Sequence, residues 1–153
     1  MDTIISHSPE ETLAVGRRWG AELPRGAVVA LVGELGSGKT VLVRGLAQGA
    51  GFQGLAHSPT FTLAHEYRGG RLPVIHLDLY RLEGPEAVEA AGLAEWLLAP
   101  EGITAVEWAE RWFGAAPPPE GPPPALRPPL LRWTLIESPS PTKRIIRYED
   151  FSS

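Results

Sequence analysis

"AVVALVGELGSGKTVLVRGLAQGAG", Ala27 to Gly51, decides the fold. Its first residues are apolar on both faces, the pattern of a strand buried inside a sheet. A glycine-rich loop follows, and then a segment from Lys39 that reads as a helix stopped by Gly49 and Gly51. Buried strand, loop and helix in that order open an α/β domain.

Gly33-Glu34-Leu35-Gly36-Ser37-Gly38-Lys39-Thr40 meets the pattern G-x-x-x-x-G-K-S/T at every fixed position. Gly33, Gly36 and Gly38 let the backbone wrap closely around a β-phosphate and turn its N–H groups inward. The helix that starts here adds the positive end of its dipole. Lys39 is placed to bridge β- and γ-phosphates, and the Thr40 hydroxyl to hold Mg²⁺. The nucleotide-binding stretch so read runs from Gly33 to Val41 and includes Glu34, Leu35 and Ser37. A chance match in a chain this long is on the order of one in a hundred or rarer.

Such a loop needs an acid for the metal and a group to position water or a second substrate. Asp78 and Glu107 are the candidates, each late in an apolar strand, where α/β ligand sites lie. Glu107 follows "ITAV" directly, the form of a Walker-B acid, and Asp78 follows "PVIHL". Spacing leaves open which of the two contacts the ion directly.

The base is narrowed by what the chain lacks. There is no Asn, and neither Lys39 nor Lys143 is followed two residues later by Asp, so no guanine reader is present. ATP is the expected nucleotide. A small-molecule kinase is a rival reading, with Arg111, Arg127 and Arg132 flanking a proline-rich segment that could act as a lid. So many prolines make a poor helical lid, and no acceptor pocket stands out. A regulatory nucleotide-binding module without hydrolysis is a third reading.

Elsewhere the chain supplies the rest of one domain, residues 1–153. "HSPEETLAVGRRWGAEL" opens with Ser8 as N-cap, Pro9 at the first helical position and Glu11 closing a capping box. Leu13, Trp19 and Leu23 form its buried stripe. "TFTLAHEY" and "RLPVIHLDLY" read as a strand pair joined by "RGG". Alternation in the second puts Ile75, Leu77 and Leu79 on one face and His76, Asp78 and Tyr80 on the other. "GPEAVEAAGLAEWLL" reads as two short helices broken near Gly92, and "ITAVEW" as another buried strand. Residues 114–129 form a Pro-rich connector. "LLRWTLIE" and "KRIIRYEDF", separated by "SPSPT", close the chain as a hairpin over 130–150. The sum is an α/β fold, a P-loop NTPase domain whose central sheet mixes parallel and antiparallel strands between flanking helices.

Composition sets outer limits. With no cysteine, disulfides, thiolate zinc sites and Cys nucleophiles are excluded. "MDTIISHSPEE" lacks an apolar signal core, and the longest apolar runs fall far short of the ~20 residues of a membrane span, so a cytoplasmic protein is expected. The net charge of −4 argues against a free-standing nucleic-acid binder. It is uneven: residues 1–126 carry 9 basic and 15 acidic side chains, whereas Arg127 to Arg147 carries five basic residues against Glu137. Solvated hairpin charges account for this, with a contact patch for an acidic partner as the sharper alternative.

"GELGSGKT", "SPTFTL", "HLDLYRL" and "VEW", in that order and spacing, resemble the TsaE (YjeE) family, the small ATPases of bacterial tRNA threonylcarbamoyladenosine (t6A) biosynthesis. The resemblance runs from about Ile4 to Trp108. It implies an ATPase that acts with a TsaB–TsaD heterodimer, in which TsaD attaches the threonylcarbamoyl group to tRNA, so that tRNA is met through partners. It implies ATP and Mg²⁺ as cofactors and no small-molecule acceptor. Carried onto this chain, Lys39 and Thr40 take phosphate and metal, Glu107 is the Walker-B acid, Asp78 a second essential carboxylate, and Thr60 a switch-like residue near the γ-phosphate and metal. Trp108, Tyr80 and Arg81 shape the site or a partner surface. His65 and His76 are left as ordinary polar strand residues.

Overall fold

The computed structural model describes residues 2–33, 38–54, 63–114 and 127–152. Its elements are β1 (Asp2–Ser6), α1 (Pro9–Glu22), β2 (Ala27–Gly33), α2 (Lys39–Gly49), β3 (Ala64–Tyr67), β4 (Val74–Asp78), α3 (Pro85–Ala90), α4 (Ala94–Leu98), β5 (Ile103–Glu107), α5 (Glu110–Phe113), β6 (Leu130–Ser140) and β7 (Lys143–Ser152). The strands form one seven-stranded sheet in the order β1-β7-β6-β2-β5-β4-β3. β6, β2, β5 and β4 run parallel in its middle, while β3 and β7 are antiparallel to their neighbours. The expected mixed α/β sheet is thus the one observed.

β2 is central, and its pattern explains why. Ala27, Val29 and Leu31 face one layer with Ile103 and Ala105, under Trp19 of α1 and Leu42, Val43 and Leu46 of α2. Val28 and Ala30 face the other with Ile75, Leu77, Val106 and Trp133, under Val88 of α3, Leu97 of α4 and Trp112 of α5. A strand covered on both faces has no polar position to spare.

The local signals hold at α1. Ser8 Oγ accepts from the Glu11 N–H at 3.1 Å as the cap predicts, while Glu11 Oε2 reaches one residue past the cap and accepts from the His7 N–H at 2.5 Å. The helix then lies backbone to backbone on α2. A Cβ on Gly16 would stand 2.3 Å from the Leu42 carbonyl oxygen, and one on Gly45 would stand 2.4 Å from that of Leu13. Only glycine permits that approach, and it locks α2, hence the start of the phosphate loop's helix, against the N-terminal helix.

Three local expectations change. Leu13 is only half-buried, because the glycine face of α1, not its leucine, meets α2. Residues 2–6, which carry no strand signal, form edge strand β1 by pairing along β7. The closing hairpin is longer than its apolar runs: β6 continues through Ser140, across a register shift after Glu137, and β7 runs to Ser152. The Pro-rich connector falls almost wholly outside the described residues. The helices at 85–98 do break at Gly92.

Candidate functional site

The site forms where the parallel strands end. β2 stops at Gly33 and α2 begins at Lys39, capped by Gly38 with φ +103°, a left-handed conformation that suits glycine. The Lys39 side chain reaches back to the end of β2, where its Nζ donates to the Gly33 carbonyl at 2.7 Å. Its side chain is buried, 4% exposed, and its ammonium lies 4.7 Å from the centre of the Trp108 ring.

Two strands over, register does what spacing could not. Glu107 of β5 is the cross-strand partner of both Leu31 in β2 and Asp78 in β4. Paired residues of parallel strands project from the same face, so Asp78 and Glu107 stand side by side on the α1–α2 face, at the carboxyl ends of the strands. Asp78 is half-buried, with Oδ1 accepting from the Tyr80 N–H at 3.0 Å. Burial pushes its carboxyl above the usual carboxylate range; the neighbouring Glu107 charge adds to this, while the Tyr80 N–H, His76 and Lys39 pull the other way. Glu107 is almost fully buried, and its Oε2 lies 2.6 Å from Nε2 of His76, which has no exposed surface.

The chain then turns sharply. Trp108 has φ +58°, the one positive value on a non-glycine among the described residues, and a bulky side chain there is strained. The turn lays its ring against Lys39, against Tyr80 at 5.1 Å between centroids, and 5.5 Å from the Arg111 guanidinium. Tyr80 is itself 53% exposed, so this aromatic pair borders solvent at the site's edge.

Beside the start of α2 lies a cleft of about 140 Å³, walled by Ser8, Pro9 and Thr12 of the α1 region, Gly38 and Val41 of the α2 region, and Pro141, Thr142 and Arg144 of the hairpin. The walls come from three distant parts of the sequence, and no motif announced them. His76, an ordinary polar strand residue by sequence, bonds Glu107 in the structure. The alternation already set it on the Asp78 face, but its bond to Glu107 depends on β4 and β5 being neighbours.

Of the expected site residues, Gly33, Gly38, Lys39, Thr40, Val41, Asp78 and Glu107 converge here. Thr40 is exposed on the first turn of α2. Glu34, Leu35, Gly36, Ser37 and Thr60 lie outside the described residues. Arg111 is near the site, whereas Arg127 lies over Phe151, and Arg132 pairs with Asp150 and lies over Trp19 and Tyr148. Arg132 is thereby committed to the hairpin, not to a lid.

The residues present fit a magnesium–nucleotide pair. The donors are hard oxygens, two carboxylates and a hydroxyl, beside a buried ammonium. A cation beside Asp78 would offset the burial that chiefly raises its carboxyl and the Glu107 charge that adds to it. Among the described residues no group of three or more His, Cys, Asp or Glu side chains is gathered for a metal. No helix among them is long and apolar enough to cross a membrane.

The sequence model of the family described as "Threonylcarbamoyl adenosine biosynthesis protein TsaE" matches residues 6–125. The chain is similar to "tRNA threonylcarbamoyladenosine biosynthesis protein TsaE" of Synechocystis, 48% identical over 98 residues, covering 63% of this chain and 62% of that one. The protein of that name from Nostoc is 46% identical over 114 residues, 72% of this chain and 70% of the relative. The one from Bacillus subtilis is 42% identical over 102 residues, 67% and 63%. The first and third matches thus span a little under two thirds of those relatives. The crystal structure of Bacillus subtilis YdiB superposes with a TM-score of 0.70 at 26% identity, covering 99% of this chain and 86% of that one.

Proposed function

The chain belongs to the TsaE family, and on that footing we propose that it serves t6A formation on tRNA as a Mg²⁺-dependent ATPase acting with a TsaB–TsaD pair. The whole chain, residues 1–153, acts as a single P-loop domain. The observation that carries the reading is the convergence of Lys39, Asp78 and Glu107 at the carboxyl ends of β2, β4 and β5.

Each residue has a task its surroundings favour. Lys39, desolvated by burial, exchanges the Gly33 carbonyl and the Trp108 face for phosphate oxygens, where a cation out of bulk water is most effective. The N–H groups at the start of α2 bind the same anion. Thr40, Asp78 and Glu107 are the groups that would hold Mg²⁺, and Thr60 takes the switch-like role that the family resemblance implies. Bound there, the ion neutralises charge developing on the transferred phosphoryl group. A carboxylate oxygen not engaged by the ion orients the attacking water. The cleft beside Gly38 and Val41 takes the adenosine part of the nucleotide.

The family's part in t6A biosynthesis favours hydrolysis used to change partner affinity over transfer to a small acceptor. Energy passes to partners only if the ATP and ADP states bind them unequally; tRNA is then met through those partners. The test is turnover of the purified chain with and without TsaB–TsaD. Slow hydrolysis alone, stimulated by the pair, is expected. Robust phosphoryl transfer to a metabolite without partner stimulation would sink the reading. Glu107→Ala should keep part of the nucleotide binding and lose hydrolysis, and unchanged turnover in that variant would remove Glu107 from the mechanism.

A further inference from the structure

His76 sits inside β4 with no exposed surface, its cross-strand partners being Ala105 of β5 and His65 of β3. A strand position buried this completely is ordinarily filled by Val, Ile or Leu. Here it holds an imidazole whose Nδ1 is buried with no hydrogen-bond partner among the described residues. An unpaired buried nitrogen costs stability that an apolar side chain would not. The ring must therefore be accounted for by its other nitrogen. Nε2 lies 2.6 Å from Glu107 Oε2, and facing a carboxylate it is the nitrogen that carries hydrogen and donates.

We propose that His76 is a positioning residue for Glu107: it pins Oε2 and so presents Oε1 to the cation or water of the nucleotide site. The proposal rests on the nucleotide reading above. β4 and the turn that follows it then orient both carboxylates, Glu107 through the His76 imidazole and Asp78 through the Tyr80 N–H. A glutamate has more side-chain torsions than an aspartate, and its carboxylate needs the extra tether. Donors of this kind behind metal-binding carboxylates commonly govern affinity or activity by 10- to 100-fold.

The test uses the full chain, His76→Leu and His76→Gln, whose amide N–H can still donate. Binding of a non-hydrolysable ATP analogue is measured by calorimetry with and without Mg²⁺. Without metal, all three should bind within about 2-fold of one another. The tightening caused by Mg²⁺ should fall about 10-fold or more in His76→Leu and recover to within about 3-fold of wild type in His76→Gln. Full Mg²⁺ dependence in His76→Leu overturns the proposal, and so does a His76→Gln protein as impaired as His76→Leu. A second readout needs no nucleotide and no leucine variant: in nitrogen-15-labelled protein, the His76 Nε2 proton should give a downfield, solvent-protected resonance that moves in Glu107→Gln. Its absence overturns the proposal. If the wild-type chain binds no nucleotide, the reading of the site falls, while this resonance still decides whether His76 holds Glu107.

Discussion

Asp78 and Glu107 are direct neighbours across two parallel strands, the last residue of β4 against the last residue of β5. Burial chiefly raises the Asp78 carboxyl above its ordinary range, and the Glu107 charge beside it adds to the rise. The native state holds a proton on Asp78 more readily than the unfolded chain does. The stability this group contributes is therefore present at low pH and lost as pH rises through its folded pKa, above the ordinary value of 3.8. Asp78→Asn keeps the acceptor for the Tyr80 N–H and removes the charge. Without nucleotide or metal, the variant should match wild type in acid and become the more stable at neutral pH, by a margin that solvent screening keeps small. Hydrolysis should fall about 100-fold. Denaturant melts between acid and neutral pH, paired with turnover assays, check both halves; a variant less stable than wild type at neutral pH contradicts the first.

Trp108 offers a test of backbone strain. At φ +58° glycine is at ease and alanine is not. Both substitutions remove the ring and its contacts with Lys39, Tyr80 and Arg111. Trp108→Gly should therefore be more stable than Trp108→Ala by about 1 kcal/mol, the reverse of their usual order. Equal melting curves would mean that the turn relaxes once the ring is gone.

The α1–α2 contact makes a steric prediction. In an exposed helix Gly→Ala stabilises by about 1 kcal/mol. Gly45→Ala should instead destabilise by about 2 kcal/mol, because the new methyl would meet the Leu13 carbonyl at 2.4 Å. Gly84→Ala, with nothing within 4 Å of the new methyl, should stay within about 0.5 kcal/mol of wild type. Urea unfolding of the two variants settles whether backbone approach holds α2 in place.

Arg132 and Arg68 separate geometry from charge. Arg132 makes two parallel bonds to Asp150, at 2.8 and 2.9 Å, and lies 4.7 Å from the Trp19 ring centre and 4.8 Å from that of Tyr148. Burial works against its charge, but the Asp150 bonds prevail and raise its pKa. Arg132→Lys keeps the charge, loses the fork and the stacked plane, and should cost about 1 kcal/mol. Arg68 bonds Glu66 and Glu101 in open solvent, and Arg68→Lys should leave the unfolding midpoint unchanged at physiological salt. No loss in either variant would show charge alone to be at work.

Much of this molecule was legible from short stretches of sequence. "ALVGELGSGKT" declares a buried strand and a phosphate loop because strand burial, glycine turns and helix starts are local matters, governed by neighbours within a few residues. The same holds for the Ser8–Glu11 cap, the break at Gly92 and the alternation that set His76 and Asp78 on one face. Tertiary structure decided what those parts do together. Glu107 lies 29 residues beyond Asp78 in the chain and meets it only because β4 and β5 are neighbours in the sheet; it meets His76 for the same reason. β1 has no apolar alternation of its own and exists through pairing with β7, and the cleft beside Gly38 is closed by a hairpin a hundred residues further on. Strand order and register follow from the packing of two hydrophobic layers over the whole chain. No single segment contains that information, and it is what turns a lone glutamate and an unremarked histidine into one oriented pair.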